Sequence, residues 1–146
     1  MKKVVFIGHN ECFGLKESDL VNIIKKCIED GFTHFISGGQ GGFDRKCAYT
    51  VFHIKQQYPN IKNVLVIPYL DFKVFNKEIF DEIIYPEGFE KYHYKAAILQ
   101  KNRYMVRESQ FAICYVGHKW GGAYATYRFA SKCGLKIFNL CESEYI

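Results

Sequence analysis

Two glycine-rich turns are the parts of this sequence best suited to binding a charged ligand. Residues 35–44 read FISGGQGGFD and residues 112–122 read AICYVGHKWGG, and each apolar run leads through glycines into a helical pattern. Glycine lets backbone approach a ligand closely, and the N–H groups and dipole of a helix N-terminus favour phosphate. Either turn alone is equally well explained by strand–helix geometry. Together they favour a site for a phosphate and a second polar group, as in a nucleotide.

Three side chains beside these turns have chemistry suited to such a ligand. His9 follows the apolar run at the start of the chain, at the edge where a ligand is expected. It is equally well explained as a polar loop residue without a role in binding. Trp120, the only tryptophan, directly precedes the second glycine pair, and Tyr124 follows it. Aromatic rings at these positions either stack on a base or pack at the rim.

Alternating strands and helices must position these residues. Apolar runs predict strands at 4–7, 34–37, 64–67, 111–116 and 136–140. Ser18 and Asp44 are candidate N-caps of the first two helices, residues 94–108 predict a third, and a fourth follows Gly121. This order predicts a single α/β domain over residues 1–146, a three-layer sandwich with a mostly parallel sheet of about five strands. Ligands of such sheets bind beyond the carboxyl ends of the strands, where both glycine turns fall.

The six cysteines do not form a disulfide or zinc pattern. Cys27, Cys47 and Cys133 take apolar positions of predicted helices, and Cys114 lies in a predicted strand. Because the chain has no C-x-x-C pair, we predict buried, reduced thiols in a cytoplasmic protein and no metal site.

Charge and composition limit the classes of partner. The net charge of +5 is spread along the chain, which suits an anionic small molecule and makes nucleic acid an improbable partner. No apolar run is long enough to cross a bilayer, and the start, MKKVVFIG, reads as a strand rather than a signal peptide. Aromatic residues make up 17% of the chain, many of them in the irregular segment 70–93. That segment is a lid, a partner surface or a packed connection, and its rings predict a homodimer or larger homo-oligomer.

Three motifs resemble the YpsA-like branch of the SLOG superfamily. ISGG, GFD and alanine within 36–48 look like its first motif, KNRYMV at 101–106 resembles the helix before its fourth strand, and GGAYATYRFA at 121–130 is similar to its second glycine motif. The resemblance covers nearly the whole chain. It implies a Rossmann-like fold that binds nucleotide-derived ligands, with no further cofactor. The superfamily includes LOG phosphoribohydrolases, the DNA-processing protein DprA and sensor domains of bacterial anti-phage immunity, some of which read ADP-ribose-type signals made by TIR enzymes.

The chain departs from the catalytic branch of that superfamily. Arg128 stands where LOG-type enzymes have a glutamate, and Tyr49 where YpsA-like sequences often have one. Cleavage of an N-glycosidic bond needs a carboxylate. The remaining candidates are Asp44, alternatively a helix cap, and Glu11, alternatively a solvated loop residue.

We therefore predict a protein that senses or sequesters a nucleotide-derived ligand, with ADP-ribose derivatives the first class to test. The alternative is a nucleoside 5′-monophosphate phosphoribohydrolase or a related N-glycosidase. The resemblance adds Arg103 to the site, and Arg128, expected at a helix start, suits an anion. The predicted ligand-binding residues are Gly8, His9, Asn10, Gly38, Gly39, Gln40, Gly42, Phe43, Asp44, Arg103, Trp120, Gly121, Gly122, Tyr124, Thr126 and Arg128.

Overall fold

The computed structural model describes residues 2–141, which form one six-stranded, all-parallel sheet with helices on both faces. The strands are β1 (Lys3–Gly8), β2 (His34–Ser37), β3 (Lys62–Val66), β4 (Glu82–Ile84), β5 (Phe111–Tyr115) and β6 (Lys136–Asn139). The α-helices are α1 (Glu17–Glu29), α2 (Gly41–Ile54), α3 (Tyr94–Arg107) and α4 (Gly121–Lys132). The predicted α/β architecture is confirmed, with one strand more than expected.

The strand order, β4-β3-β2-β1-β5-β6, reverses at β1. The chain builds outward from β1 through β2, β3 and β4, and then returns to add β5 and β6 on the other side. Val4 pairs with Phe111 and Gly8 with Tyr115, so β1 and β5 end together. This pair is the topological switch point, and the crevice beyond it is where parallel sheets of this kind bind ligands.

Alternate residues of β1 enter two separate cores. Phe6 packs with Phe35 and Phe43 under α1 and α2, whereas Val5 and Ile7 pack with Met105 and Ala130 under α3 and α4. Successive side chains of a strand point to opposite faces, so a strand covered on both sides reads as a continuous apolar run. The run at the start of the chain is therefore a central strand.

Both predicted helix caps are wrong. The first helix begins at Glu17, because the Lys16 carbonyl already accepts the N–H groups of Asp19 and Leu20, and Ser18 lies inside the first turn. The second begins at Gly41 with Gln40 as its N-cap residue. Asp44 lies further into the helix, although its carboxylate Oδ2 accepts the Gln40 N–H at 3.0 Å.

The segment 70–93 contains the additional strand, β4, which extends the sheet beyond β3. Its rings pack largely on one another and on neighbouring elements: Phe89 is buried against Tyr85, Tyr92 and Tyr104. The segment is a packed connection in this structure, with Leu70 as its most exposed large apolar side chain. The expectation of a homo-oligomer, which rested on these rings, stays a prediction.

Four of the six free cysteines, Cys12, Cys27, Cys47 and Cys114, are buried as reduced thiols. Cys133 is exposed, contrary to its predicted apolar position, because it lies past the end of α4. Within residues 2–141, no group of three histidine, cysteine or acidic side chains is arranged to hold a metal ion. No helix in the same range is long and apolar enough to cross a membrane.

Candidate functional site

A cleft of about 240 Å³ opens at the carboxyl end of β1, between the starts of α2 and α4 and one side of α3. Five of the predicted site residues line it: Gly8, Gln40, Asp44, Gly122 and Thr126. The side of α3 completes the wall with Ile98, Lys101, Asn102 and Met105, none of which was among the predicted site residues. Residues as far apart in sequence as Gly8 and Thr126 therefore meet in one concave site, as expected for ligand binding.

Lys101 is the most unusual residue of this cleft. Its side chain is only 1% exposed, and its Nζ donates a hydrogen bond of 2.6 Å to the amide oxygen Oε1 of Gln40. Gly38 makes this position possible, since a Cβ at Gly38 would lie 2.5 Å from Nζ. A lysine ammonium has three donors, and burial of a charge is costly unless the charge is paired. Burial accordingly lowers the pKa of Lys101 to about 8, although the nearby charge of Asp44 opposes this shift.

Asp44 is the only carboxylate among the cleft residues. Burial raises its pKa to about 6, against the stabilising effects of Lys101 and of hydrogen bonds from the backbone of Gln40 and Gly38. Between about pH 6 and pH 8 the cleft therefore holds a buried carboxylate and a buried ammonium. Perturbed titratable groups that share a cleft are characteristic of functional sites.

The first glycine turn is closed by the chain itself. The N–H of Gly42 donates to the backbone oxygen of Asn10 and to its side-chain Oδ1, both at 3.0 Å. A Cβ at Gly42 would overlap that same backbone oxygen, and one at Gly8 would overlap the Phe43 ring. Phe43 is fully buried, and Gly39 packs against Leu65. The structure thus assigns most of this turn to internal packing.

The second glycine turn is open. Gly121 begins α4 with φ of +88°, a conformation that favours glycine, but Gly122 has no such requirement. A Cβ at Gly122 would meet nothing within 4 Å, although Gly122 lines the cleft. No side chain caps α4, and within residues 2–141 no acceptor bonds to the Gly122 N–H. This helix start leaves donors and room for an anion.

Three parallel rings stand beside the second turn. The His9 and His118 rings stack with centroids 3.8 Å apart and an angle of 13°, and the His118 and Trp120 rings stack at 3.7 Å and 19°. They come from the ends of β1 and β5 and from the N-cap position of α4. The stack therefore bridges the topological switch point.

The sequence model of the YspA SLOG family matches residues 8–131. The chain belongs to this family. The matched region runs from Gly8, the last residue of β1, to the last turn of α4, and contains every cleft residue except Phe6 and Ile7.

Known relatives of this SLOG chain are longer. The UPF0398 protein of Bacillus pumilus (strain SAFR-032) is 26% identical over 103 residues, which cover 64% of this chain and 55% of that protein. Among solved structures, DNA processing protein A of Helicobacter pylori, described with a single-stranded DNA binding mode, aligns with a TM-score of 0.66 and 19% identity over 94% of this chain and 64% of that one. DprA of Streptococcus pneumoniae aligns with a TM-score of 0.67 and 19% identity over 94% and 50%. These two structures share the fold.

The second SLOG motif is divided between two surfaces. Gly122 and Thr126 face the cleft, where the Thr126 hydroxyl donates to the Gly122 carbonyl at 2.9 Å. Arg128 is exposed in the second half of α4 and, with Arg103, lines a separate outer groove. The expectation that Arg128 lies at a helix start is therefore wrong, since α4 begins at Gly121. Tyr124 does not line the cleft either: it is partly buried against the core under α3 and α4, and the Arg128 guanidinium lies 6.0 Å from its ring.

The other candidate carboxylate, Glu11, is exposed in the loop after β1 and does not line the cleft. Sequence reasoning missed Lys101 because a lysine in a helix usually lies on the solvated face. One signal was available: Lys101 lies four residues after Ala97 and four before Met105, both buried positions of α3. That spacing places it on the buried stripe of the helix.

Proposed function

We propose that the cleft binds the anionic part of a nucleotide-derived ligand. The observation that carries this proposal is the buried ammonium of Lys101, whose one side-chain acceptor within residues 2–141 is the neutral amide oxygen of Gln40. Desolvation of an ammonium is compensated only by close pairing. A phosphate in the cleft supplies that pairing and reaches the free N–H groups at the start of α4 as well.

The two anion-binding elements approach the cleft from different sides, Lys101 from α3 and Gly122 from α4. A ligand with one phosphate contacts both, and one with two phosphates has a partner for each. ADP-ribose derivatives and nucleoside monophosphates are therefore the first classes to test. This preference also agrees with the known ligands of the wider SLOG superfamily.

Binding without turnover is the function that the cleft supports better. Glycoside-cleaving sites generally use two carboxylates, and Asp44 is the only one lining this cleft. One oxygen of Asp44 already accepts the Gln40 N–H, and its charge favours the ammonium form of Lys101 without contacting it. A protein that senses or sequesters a signal needs this anion site and gains nothing from cleavage.

The test combines calorimetry with product analysis. Purified protein is titrated with ADP-ribose, adenosine 5′-monophosphate and ribose 5-phosphate, and each mixture is analysed by chromatography after a long incubation. We expect binding of at least one phosphate ester, with the ester recovered unchanged. Loss of binding in Lys101→Met with retained binding in Lys95→Met, an exposed lysine of the same helix, identifies the cleft. Repeated release of free base that Asp44→Asn abolishes would instead establish the N-glycosidase.

A second candidate function is binding of single-stranded nucleic acid. It is favoured by the positive charge on the outer surface of α3 and α4, which includes the outer groove. Glu108 is the only acidic residue between positions 91 and 141, a stretch with nine lysines and arginines. Lysines and arginines are spread along the whole chain, as expected, and the positive balance of this stretch arises from its scarcity of acidic residues. Arg103, Arg128 and Lys132 line one outer groove, and the guanidinium groups of Arg103 and Arg107 lie 5.3 and 5.4 Å from the Phe129 ring.

Cations interleaved with rings are suited to the phosphates and bases of a single strand, and the similar fold of the Helicobacter protein has a described single-stranded DNA binding mode. Fluorescence anisotropy of a labelled oligothymidylate tests this candidate. We expect binding that weakens as salt rises and that is lost in the double variant Arg128→Ala/Lys132→Ala. The matched control is Lys25→Ala/Lys26→Ala, on α1. Equal binding by both double variants would reject the surface.

A further inference from the structure

We infer that the outer face of Trp120 binds the aromatic base of the ligand, so that the base becomes the fourth ring of the His9–His118–Trp120 stack. This inference rests on the proposed binding of a nucleotide-derived ligand, and it specifies that the ligand carries a base. Three observations support it. The stack offers a flat surface for a base, the cleft is too small to enclose the base, and the outer face of Trp120 is exposed.

The stack is built to a spacing that suits bases. Its ring centroids are 3.8 and 3.7 Å apart, and the rings deviate from parallel by only 13° and 19°. Three rings in this arrangement present a flat terminal face rather than an edge. Stacking on such a face is available to any base, because every base has a π surface.

The inner end of the stack is fixed by the backbone. The ring Nε2 of His9 accepts the backbone N–H of Gly117 at 2.9 Å, and the backbone N–H of His9 donates to the Tyr115 carbonyl at 3.1 Å. Acceptance at Nε2 requires the neutral ring with its proton on Nδ1. Burial and the neighbouring His118 lower the pKa of His9, in agreement with that state. The stack is thus attached to both strands of the switch point before any ligand binds.

The outer end is free. Trp120 is 67% exposed within the described structure, although a histidine ring covers one of its faces. The uncovered face of the indole is therefore accessible to a ligand, and a base that stacks on it buries apolar area of both rings.

The size of the cleft explains why the base lies outside. Pockets that enclose a whole organic ligand measure about 300–1,000 Å³, and the cleft measures about 240 Å³. It therefore suits the phosphate and part of the sugar. Trp120 adjoins Gly121 and Gly122 in the chain, so a base that leaves the cleft past the start of α4 meets the tryptophan ring.

The single tryptophan makes this inference directly measurable. Adenosine 5′-monophosphate and ribose 5-phosphate are each titrated against the protein, with tryptophan fluorescence and calorimetry recorded in parallel. We expect the monophosphate to quench Trp120 and to bind about tenfold or more tightly than the sugar phosphate, because stacking on a ring contributes about that factor per base. We expect Trp120→Ala to bind both compounds with the affinity of the sugar phosphate, and Trp120→Phe to retain part of the preference.

The matched control is Tyr94→Ala, which removes a ring that is 62% exposed at the start of α3. It should leave the preference unchanged. If ribose 5-phosphate binds in a Lys101-dependent way but Trp120→Ala leaves the preference for the monophosphate intact, the proposed function stands and this inference is overturned. If neither compound binds and ADP-ribose does not bind either, both are rejected. The variants are compared by circular dichroism, so loss of fold is not read as loss of stacking.

Discussion

The starts of α2 and α4 differ in what occupies the space in front of them. Both helices begin with two glycines, and the first of each pair, Gly41 or Gly121, has a positive φ. In front of Gly42 stands the backbone of Asn10, which accepts its N–H and leaves no space for a side chain. In front of Gly122 the space is empty and belongs to the cleft.

This difference separates two reasons for glycine that sequence cannot distinguish. At α2 the small residue allows two segments of the same chain to pack closely, and an internal amide replaces the anion that a bare helix start would attract. At α4 no atom of residues 2–141 uses the space, and under the proposed function the ligand fills it. Gly42 contributes to stability, whereas Gly122 is available for function.

The largest expected effect is that two matched substitutions change the free energy of unfolding in opposite directions. Gly42→Ala forces its methyl group against the Asn10 carbonyl, and we expect a loss of about 1–3 kcal/mol or more in the free energy of unfolding. Gly122→Ala meets no neighbour, and its better helix propensity gives a gain of up to about 1 kcal/mol. Urea denaturation of the two variants measures both values.

The open turn also predicts an effect on ligand binding. Gly122→Val keeps the fold but fills the cleft, so adenosine 5′-monophosphate should no longer bind in calorimetry. Gly122 is the better position for this test than Gly121, since the positive φ of Gly121 strains any substitution there. Equal losses of stability in Gly42→Ala and Gly122→Ala would contradict the distinction between the two turns.

Lys101→Met, in the cleft beside the open glycine turn, should lower the affinity for a phosphate ester. Removing a charged donor from a phosphate costs about 1.5–3 kcal/mol, or roughly 10- to 150-fold in affinity. The variant removes the cost of a buried ammonium but leaves the Gln40 amide oxygen without its donor, so we expect the free energy of unfolding to fall by no more than about 1–3 kcal/mol. Calorimetry and urea denaturation of the same preparation give the two values. A variant that loses stability but binds the ligand with unchanged affinity would show that Lys101 serves the fold alone.

The pH dependence of binding should follow the protonation of Lys101. Its pKa of about 8 means that the free protein loses the ammonium as the pH rises past that value, and an anion binds the charged form. Phosphate esters are already doubly ionised above about pH 7. We therefore expect affinity to fall about tenfold between pH 7 and pH 9. A flat profile in Lys101→Met is the control, and an equally steep fall in that variant would assign the titration to another group.

The sequence predicted the parts of this molecule that depend on local pattern. Apolar runs marked the central strands, and Gly31 and Gly134, both with positive φ, follow the ends of α1 and α4 as expected. Strand β4 was missed because two of its three residues are exposed and it has no apolar run. Its position depends on pairing with β3, which is not a local property.

The candidate site was predicted less completely, for the same reason. The edge of the sheet and five cleft residues follow from topology and motifs. The insertion of Asn10 at the start of α2 and the three-ring stack depend on contacts between distant segments. Periodicity offered a signal for the burial of Lys101 that was not used, and it could not have shown the acceptor of Lys101, which lies 61 positions earlier in the chain.

The smallest expected effect concerns the two arginines that the motifs placed in the site. Arg103 and Arg128 line the outer groove, and their guanidinium groups lie over the rings of Phe129 and Tyr124 rather than in the cleft. Charges on that exposed surface are screened by solvent and salt. We therefore expect Arg103→Ala and Arg128→Ala to change the affinity for adenosine 5′-monophosphate by less than about twofold. A tenfold loss in either variant, with the fold intact, would extend the ligand site from the open glycine turn across the outer face of α4.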